Sequence, residues 1–498
     1  MKILLVYPKV AETFWSFKHV LKIVRRKSAF PPLGALTVAA MLPPSWQKRL
    51  VDMNVRELKD QDIQWADYVF ISAMIAQRES AESVISRCRE LGAKTVGGGP
   101  LFNCFHDDFS EVDHLVLGEG EVILPSLIED MKSGSLKRRY HSQEHPPLHN
   151  TPIPMWELID FRNYASLCIQ YSRGCPFNCE FCDIIVMNGR VPRSKTNEQM
   201  TAELDAIYRR GWRGSVFIVD DNFIGDKKKV KSLLRSIAEW QARRRKPLPF
   251  FTEASVDLAQ DEELMELMVE AGFNKVFLGL ETPSTESLKE CGKSQNLKLN
   301  LNEAVRIIQN HGMAVMGGFI IGFDNDPPDI FQRLVQFIQK TGTVTAMVGL
   351  LTAIPRTQLY RRLECEGRLL FKTSGNNTSV NDGLNFVPRM DRHVLIDGYR
   401  WVMDNIYAPE MYYRRILAFL RDYRPKAKGS LEWNDILIFV RSIWYLGVLD
   451  SHNRTYYWRL LKDTLLHYRS AFPDVVAMLI YGYHFRKLFW TSHCWHKH

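Results

Sequence analysis

Cysteine is scarce in this chain. Nine residues in 498 are too few, and too odd a number, for a disulfide scaffold. Long apolar runs are also missing: Thr343 to Ile354 and Val475 to Tyr483 fall short of the roughly 18 residues that a spanning helix needs. Integral membrane insertion is therefore not expected. The opening Met1 to Pro8 is too short for the apolar region of a signal peptide and reads instead as a buried strand. Internal repeats and heptads are lacking. Charge of one sign is not in large excess: 65 Lys and Arg against 56 Asp and Glu give +9, which suits an anionic surface or substrate without pointing to nucleic acid. What is present is ordinary globular material, 46% apolar and 24% charged, enough for about three domains at roughly 150 residues each.

The first third alternates short apolar strands with helical segments, the pattern of an open parallel sheet. Lys2 to Tyr7, Ala66 to Ser72, Lys94 to Val96 and His114 to Leu117 read as strands, and Ser80 to Leu91 as a helix. Ligands of such sheets lie beyond the carboxyl ends of the strands, where small residues admit close backbone approach. Gly97-Gly98-Gly99-Pro100 and Gly118-Glu119-Gly120-Glu121 stand at those ends, either as ligand contacts or as tight turns only. Lys132 to Pro154 lacks periodicity and reads as connecting chain, with residues 1–140 forming the first domain and 141–164 the linker. Over residues 165–384 strand and helix alternate about six times, as a full or partial (β/α) barrel requires. Beyond residue 385 the chain turns helical and aromatic-rich.

The sharpest motif is Cys175-Pro176-Phe177-Asn178-Cys179-Glu180-Phe181-Cys182, three thiols in a C-x3-C-x2-C spacing just after a strand. Such a loop can wrap three thiolates around one face of an iron–sulfur cubane and leave one iron open. A zinc site would need a fourth protein ligand, and no Cys or His follows at a short spacing.

This motif, with Phe181 before its last cysteine, resembles the signature of the radical SAM enzymes. The resemblance implies a [4Fe–4S] cluster on Cys175, Cys179 and Cys182, with S-adenosylmethionine (SAM) on the fourth iron as the source of a 5′-deoxyadenosyl radical. It also implies SAM contacts at strand ends: Asp220, Asp221 and Asn222, then Glu253 and Ser255, then Glu281. The acidic residues among these could instead be helix caps. Gly317 to Phe323 resembles the strand that admits the adenine.

An open sheet before such a barrel resembles the cobalamin-binding class of the superfamily. That match implies cobalamin contacts at Ser72, Gly97, Gly98, Gly99, Pro100, Gly118 and Glu119. The Asp-x-His-x-x-Gly motif that gives cobalt a lower histidine in some cobalamin proteins is absent from this domain. Thr13 to Phe17, Glu290 to Asn296 and Asn385 to Met390 are further similar to the subgroup containing the hopanoid C-2 methylase.

The expected architecture is thus α/β: a Rossmann-like cobalamin-binding domain, a partial TIM-type radical SAM barrel and a mainly helical C-terminal domain over 385–498. The expected activity is methylation of an unactivated carbon of an apolar or lipid-like, hopanoid-type substrate. A cobalamin-using ring-forming enzyme or a non-catalytic sensor are the alternatives. An electron donor of the flavodoxin or ferredoxin type is implied, and nucleic acid is not expected. Residues 451 to 498 carry seven Lys and Arg against two acids, and eleven aromatics. They read as a lid over the barrel mouth or as a headgroup contact through Trp458, Trp490 and Trp495. The expected location is the cytoplasm, with peripheral contact at the inner face of the membrane as an option.

Overall fold

The structure is a computed structural model that describes residues 1–373, 375–378, 383–426 and 433–491. Six strands form the first sheet: β1 (Lys2–Tyr7), β2 (Gln47–Asp52), β3 (Tyr68–Ser72), β4 (Lys94–Gly98), β5 (His114–Leu117) and β6 (Arg139–His141). All are parallel, in the order β2-β1-β3-β4-β5-β6. Helices cover both faces, so the inner strands read as near-continuous apolar runs. Ile3, Leu4, Leu5 and Val6 of β1 are all buried. The two edge strands escape the sequence reading for the same reason. Half of β2 is open to solvent and polar, and β6 buries only Tyr140. The strand order reverses between β1 and β3, which opens a crevice at their carboxyl ends.

The stretch expected to be a linker is anchored rather than free. It opens on His141 of β6, and Leu148, Trp156 and Tyr164 are buried. Tyr164 Oη donates to Asp52 Oδ2 at 3.0 Å, which ties this segment back to β2.

The second sheet is built from β7 (Leu167–Ile169), β10 (Val216–Ile218), β11 (Phe250–Ala254), β12 (Phe273–Glu281), β13 (Ala314–Ile321) and β14 (Thr345–Leu350). Each strand pairs in parallel with the next in sequence, which is the winding of a partial barrel. A two-stranded hairpin, β8 (Ser172–Arg173) with β9 (Arg193–Ser194), is inserted after β7. Residues alternate along the strands. Val216, Ile218, Thr252, Val276 and Leu278 are fully buried under the helices, whereas Phe251, Glu253, Lys275 and Phe277 face inward and keep partial accessibility.

The C-terminal helices finish the barrel. The outer edge of β14 presents a row of backbone carbonyls, and three buried side chains from helices Arg392–Tyr407 and Pro409–Asp422 donate to them. Tyr399 Oη reaches Val348 O at 3.2 Å, Tyr407 Oη reaches Ala346 O at 2.5 Å, and the Arg415 guanidinium reaches Val344 O at 3.2 Å. Helix Phe472–Thr491 packs its aromatics elsewhere than over the barrel mouth. Tyr481 meets Phe17 and the Lys275 ammonium near the start of β12, and Phe485 meets Phe14 and Tyr407. Trp458 is half exposed; Trp495 and the side chain of Trp490 lie outside the described residues.

Candidate active site

The cysteine loop is closed at its base by the β8–β9 hairpin and held from four directions. Gly174, with φ +94°, turns the chain from β8 into the loop. A Cβ there would stand 2.9 Å from Val191 O and 3.1 Å from Asn188 O, so this position requires glycine. Asp220, at the end of β10, is buried and accepts from Tyr171 N and Ser172 N at 2.8 Å each and from Ser172 Oγ at 2.6 Å. Burial pushes its carboxyl up to about 7 against the pull of those donors. Asp221 accepts from Gly174 N at 3.0 Å and Asn188 Nδ2 at 2.9 Å. These two expected SAM contacts therefore shape the cysteine loop itself.

Glu180, between Cys179 and Phe181, receives Arg362 Nε at 2.6 Å, and Arg362 and Arg368 both bind Asp324. The Glu180 amide donates to Cys291 O at 2.9 Å. On the side of the first sheet, Arg173 reaches Glu119 Oε2 at 2.7 Å and Glu121 Oε1 at 2.8 Å, and Arg193 reaches Glu119 Oε1 at 2.6 Å. Burial alone would raise both carboxyls. Arg193 and Arg173 beside Glu119, and Arg173 beside Glu121, hold them below the usual carboxylate range.

Three donors converge on the thiols. Asn222 Nδ2 lies 4.0 Å from Cys175 Sγ, and Gln295 Nε2 lies 3.9 Å from Cys179 Sγ. The buried Lys293 ammonium faces Cys179 and Cys182 and donates to Glu281 Oε1 at 2.6 Å; burial works against its charge, but Glu281 and Cys179 hold its pKa above the ordinary lysine value. Glu281 adopts a left-handed backbone, φ +61°, at the irregularity that ends β12. Among the described residues no three His, Cys, Asp or Glu side chains converge on one ion position. In a cubane each thiolate takes a separate iron. Amide donors and an ammonium aimed at sulfur are what an anionic thiolate cluster needs, so the residues fit that group.

Glu253 and Ser255 follow on β11 and just past its end. Asn222 Oδ1 accepts from Ser255 N at 3.1 Å, so Asn222 links the Cys175 side of the loop to Ser255. Glu253 points inward with no side-chain donor among the described residues, and burial, with Asp221 and Asp220 nearby, pushes its carboxyl up to about 8.

Between the two sheets lies a cavity of about 1370 Å³. Ser72, Gly98, Gly99, Pro100, Gly118 and Glu119 line it, and so do Gln170, Arg173, Asp183 and Asp221 from the barrel. Gly97 does not line it; a Cβ on Gly97 would meet the Phe102 ring under the sheet. Glu119 reaches the cavity with its carboxylate already engaged by Arg173 and Arg193.

Three family models match in succession: the B12 binding domain over residues 21–128, the radical SAM superfamily over 169–338, and a domain of unknown function (DUF4070) over 357–493. An uncharacterised methyltransferase of Synechocystis sp. is 40% identical, over 97% of this chain and 91% of its own length. The chain belongs to the cobalamin-binding radical SAM methyltransferase family. The hopanoid C-2 methylase of Rhodopseudomonas palustris is 32% identical over 97% of this chain and 92% of its own length. In fold, this family member is similar to the cobalamin-dependent SAM radical enzyme OxsB, with TM-score 0.64, 16% identity, and coverage of 99% of this chain and 80% of that one. It is equally similar to the radical SAM methyltransferase TsrM of Kitasatospora setae solved with cobalamin and a [4Fe–4S] cluster, at TM-score 0.64, 16% identity and coverage of 93% and 98%. Its cofactors are the [4Fe–4S] cluster, SAM and cobalamin.

The sequence reading assigned no role to Arg193, Glu121, Lys293 or Gln295. Glu121 and the Lys293 segment were visible as motifs, yet their partners lie far along the chain: Gln295 is 116 residues from Cys179, and Arg193 is 74 from Glu119. Cys291 is a buried thiol, its Sγ 3.6 Å from Leu288 O, and burial pushes it up to about 12.

Proposed function

We propose that this enzyme methylates an unactivated carbon of an apolar, lipid-like substrate. The observation that carries this reading is the wall inside the barrel below Glu253. Phe217 and Phe251 stack at 4.6 Å, and Trp15 lies parallel to Phe217 at 6.3 Å. Phe277 meets Trp15 at 5.3 Å, and Phe30 meets Phe217 at 5.5 Å. Four of these five rings, all but Phe217, keep partial accessibility, and Phe217, Phe251 and Phe277 stand on inward-facing positions of their strands. Flat aromatic walls bind saturated or fused-ring carbon skeletons by area and shape. The 32% identical relative named for hopanoid methylation supports the same substrate class.

When bound, the cluster with SAM supplies a hydrogen-abstracting radical and cobalamin supplies the methyl group. The chain's own residues do the positioning. Cys175, Cys179 and Cys182 hold the cluster, while Asp220, Asp221 and Arg362 keep their loop in one shape. Glu253, protonated near neutral pH, offers a hydroxyl to a ribose oxygen, and Lys293 with Glu281 gives a charged pair for the carboxylate and amino group of SAM. The inter-sheet cavity of about 1370 Å³ exceeds the ~300–1000 Å³ of ordinary small-molecule sites, as a corrinoid beside a substrate demands. The external electron donor this chemistry needs is of the flavodoxin or ferredoxin type.

Anaerobic turnover with cobalamin, reduced flavodoxin, trideuteromethyl-SAM and a polyprenoid lipid extract tests the reading. The expected products are a trideuteromethylated lipid together with S-adenosylhomocysteine and 5′-deoxyadenosine. Release of 5′-deoxyadenosine without S-adenosylhomocysteine would show ring formation or another radical reaction instead. Label entering a chlorin supplied in a parallel assay, with no lipid labelled, would overturn the substrate class.

A further inference from the structure

Helix Trp433–Ser442 and the wider turn that continues it, Ile443–Leu449, are amphipathic in an unusual sense. At 100° per residue Trp433, Ile436, Leu437, Val440 and Trp444 fall on one side, and Val448 extends the line. That side faces outward. The opposite side is the packed one: Phe439 meets the Phe472 ring at 5.4 Å, Ser442 bonds Tyr457 Oη at 2.8 Å, and Leu446 is buried. Trp433 is 80% exposed, and Ile436, Leu437, Val440, Trp444, Val448 and Leu449 are each at least 43% exposed. Single exposed apolar residues are normal on a soluble protein, whereas a stripe of seven large ones marks an interaction surface.

A cationic cluster borders the stripe. Helix Lys18–Val24 packs against this helix, and Arg441 donates to Ile23 O at 3.2 Å. The contact brings Lys22, Arg25, Arg26 and Lys27 beside Arg441. None of the five forms an ion pair among the described residues, and Lys22, Arg25 and Lys27 are exposed. Burial and the like charges of Arg25 and Arg26 lower the Arg441 guanidinium, and the one acid felt by the cluster among the described residues, Asp160 near Lys27, is itself taken up by Arg162.

We propose that the face formed by residues 433–449 and the Lys22–Lys27 cluster docks on an anionic lipid bilayer surface. Apolar side chains with tryptophans at headgroup depth, flanked by unpaired cations, are the chemistry of an interfacial helix. A second copy of the chain fits less well, because it would add another set of unpaired cations. No described helix is long and apolar enough to cross the bilayer, so the contact is peripheral. None of the residues of this surface belongs to the cluster loop, and its cationic segment runs in the chain between Trp15 and Phe30 of the aromatic wall. The inference does not depend on the substrate reading, although a lipid-like substrate would reach the enzyme by this route.

Sedimentation of the full-length, cluster-loaded enzyme with vesicles tests it. Vesicles of phosphatidylcholine mixed with phosphatidylglycerol should pellet the protein, those of phosphatidylcholine alone should do so weakly, and high salt should release it. Trp433→Ser with Leu437→Ser, Val440→Ser and Trp444→Ser should abolish pelleting. Lys22→Gln with Arg25→Gln and Lys27→Gln should weaken the partition coefficient about 100-fold. Both variants should keep the visible absorbance of the cluster and reductive SAM cleavage, which reports folding and leaves the active site out of the comparison. Wild-type protein that stays in the supernatant with both vesicle types overturns the proposal. So does a serine variant that still pellets, or a concentration-dependent dimer that the serine substitutions dissolve.

Discussion

Replacing Glu119 by Gln should loosen the cysteine loop through a charge left behind on the other sheet. Glu119 and Glu121 from the first sheet, and Arg173 and Arg193 from the hairpin, form a neutral set of two anions and two cations. Their side chains are between 6% and 15% exposed. Glu119→Gln leaves one cation unmatched: the amide offers Arg173 and Arg193 one uncharged acceptor oxygen in place of two carboxylate oxygens, and the carbonyls of Pro146 and Asn188 on Arg193 carry no charge to replace it. Removing one partner of a buried pair costs about 3–5 kcal/mol, and the residual accessibility here puts the expected loss at the lower end, about 3 kcal/mol. Arg193→Gln in the same chain restores neutrality, so the double variant should recover about 2 kcal/mol relative to the sum of the singles. Denaturant midpoints of the anaerobic protein give the cycle. Hydrogen exchange at the Gly174 and Cys175 amides, next to Arg173, should speed up in the single variant and slow again in the double. If the two substitutions add within about 0.5 kcal/mol, the network is not coupled and the reasoning fails.

Two further outcomes follow from single sites. Gly174→Ala should prevent cluster assembly, because a left-handed alanine costs about 1–2 kcal/mol before its Cβ meets Val191 O; iron and sulfide content is the readout, and normal loading would contradict the account. His484 is fully buried with Nε2 3.2 Å from Phe14 O, and burial together with the charge of His19 pushes it down to about 4. The unfolded chain takes that proton near pH 6.5 and the folded chain only near 4, so stability falls as pH drops through this window. The loss is about 1.4 kcal/mol per unit, about 3 kcal/mol in all. Unfolding midpoints at pH 7 and pH 5 should therefore diverge more in wild type than in His484→Gln, and equal slopes would refute the assignment.

The cysteine loop and most inner strands were legible because each leaves a local signature: a fixed thiol spacing, or an apolar run covered on both faces. Edge strands leave none. The polar first half of β2 and the three residues of β6 look like loop, and β6 begins just before the expected linker. The acidic residues at strand ends were found, but their partners were not, since the chain gives no hint that Asp220 serves the Tyr171 and Ser172 amides or that Glu119 meets Arg193. Aromatic content misdirected the reading of the C-terminal region. It drew attention to Trp458, Trp490 and Trp495, while the stripe from Trp433 to Leu449 has the spacing of a helix whose apolar face would normally be packed. Only the structure shows which side is out.

The carbonyl row of β14 makes the C-terminal region inseparable from the barrel. Tyr399, Tyr407 and Arg415 stand where a seventh strand would otherwise pair. A truncation placed before residue 392, where sequence alone suggests a domain boundary, would leave an unsatisfied strand edge open to another chain. Such a fragment would be expected to associate edge to edge rather than yield a soluble catalytic core. The helices that look like an appendage thus act as the barrel's missing wall.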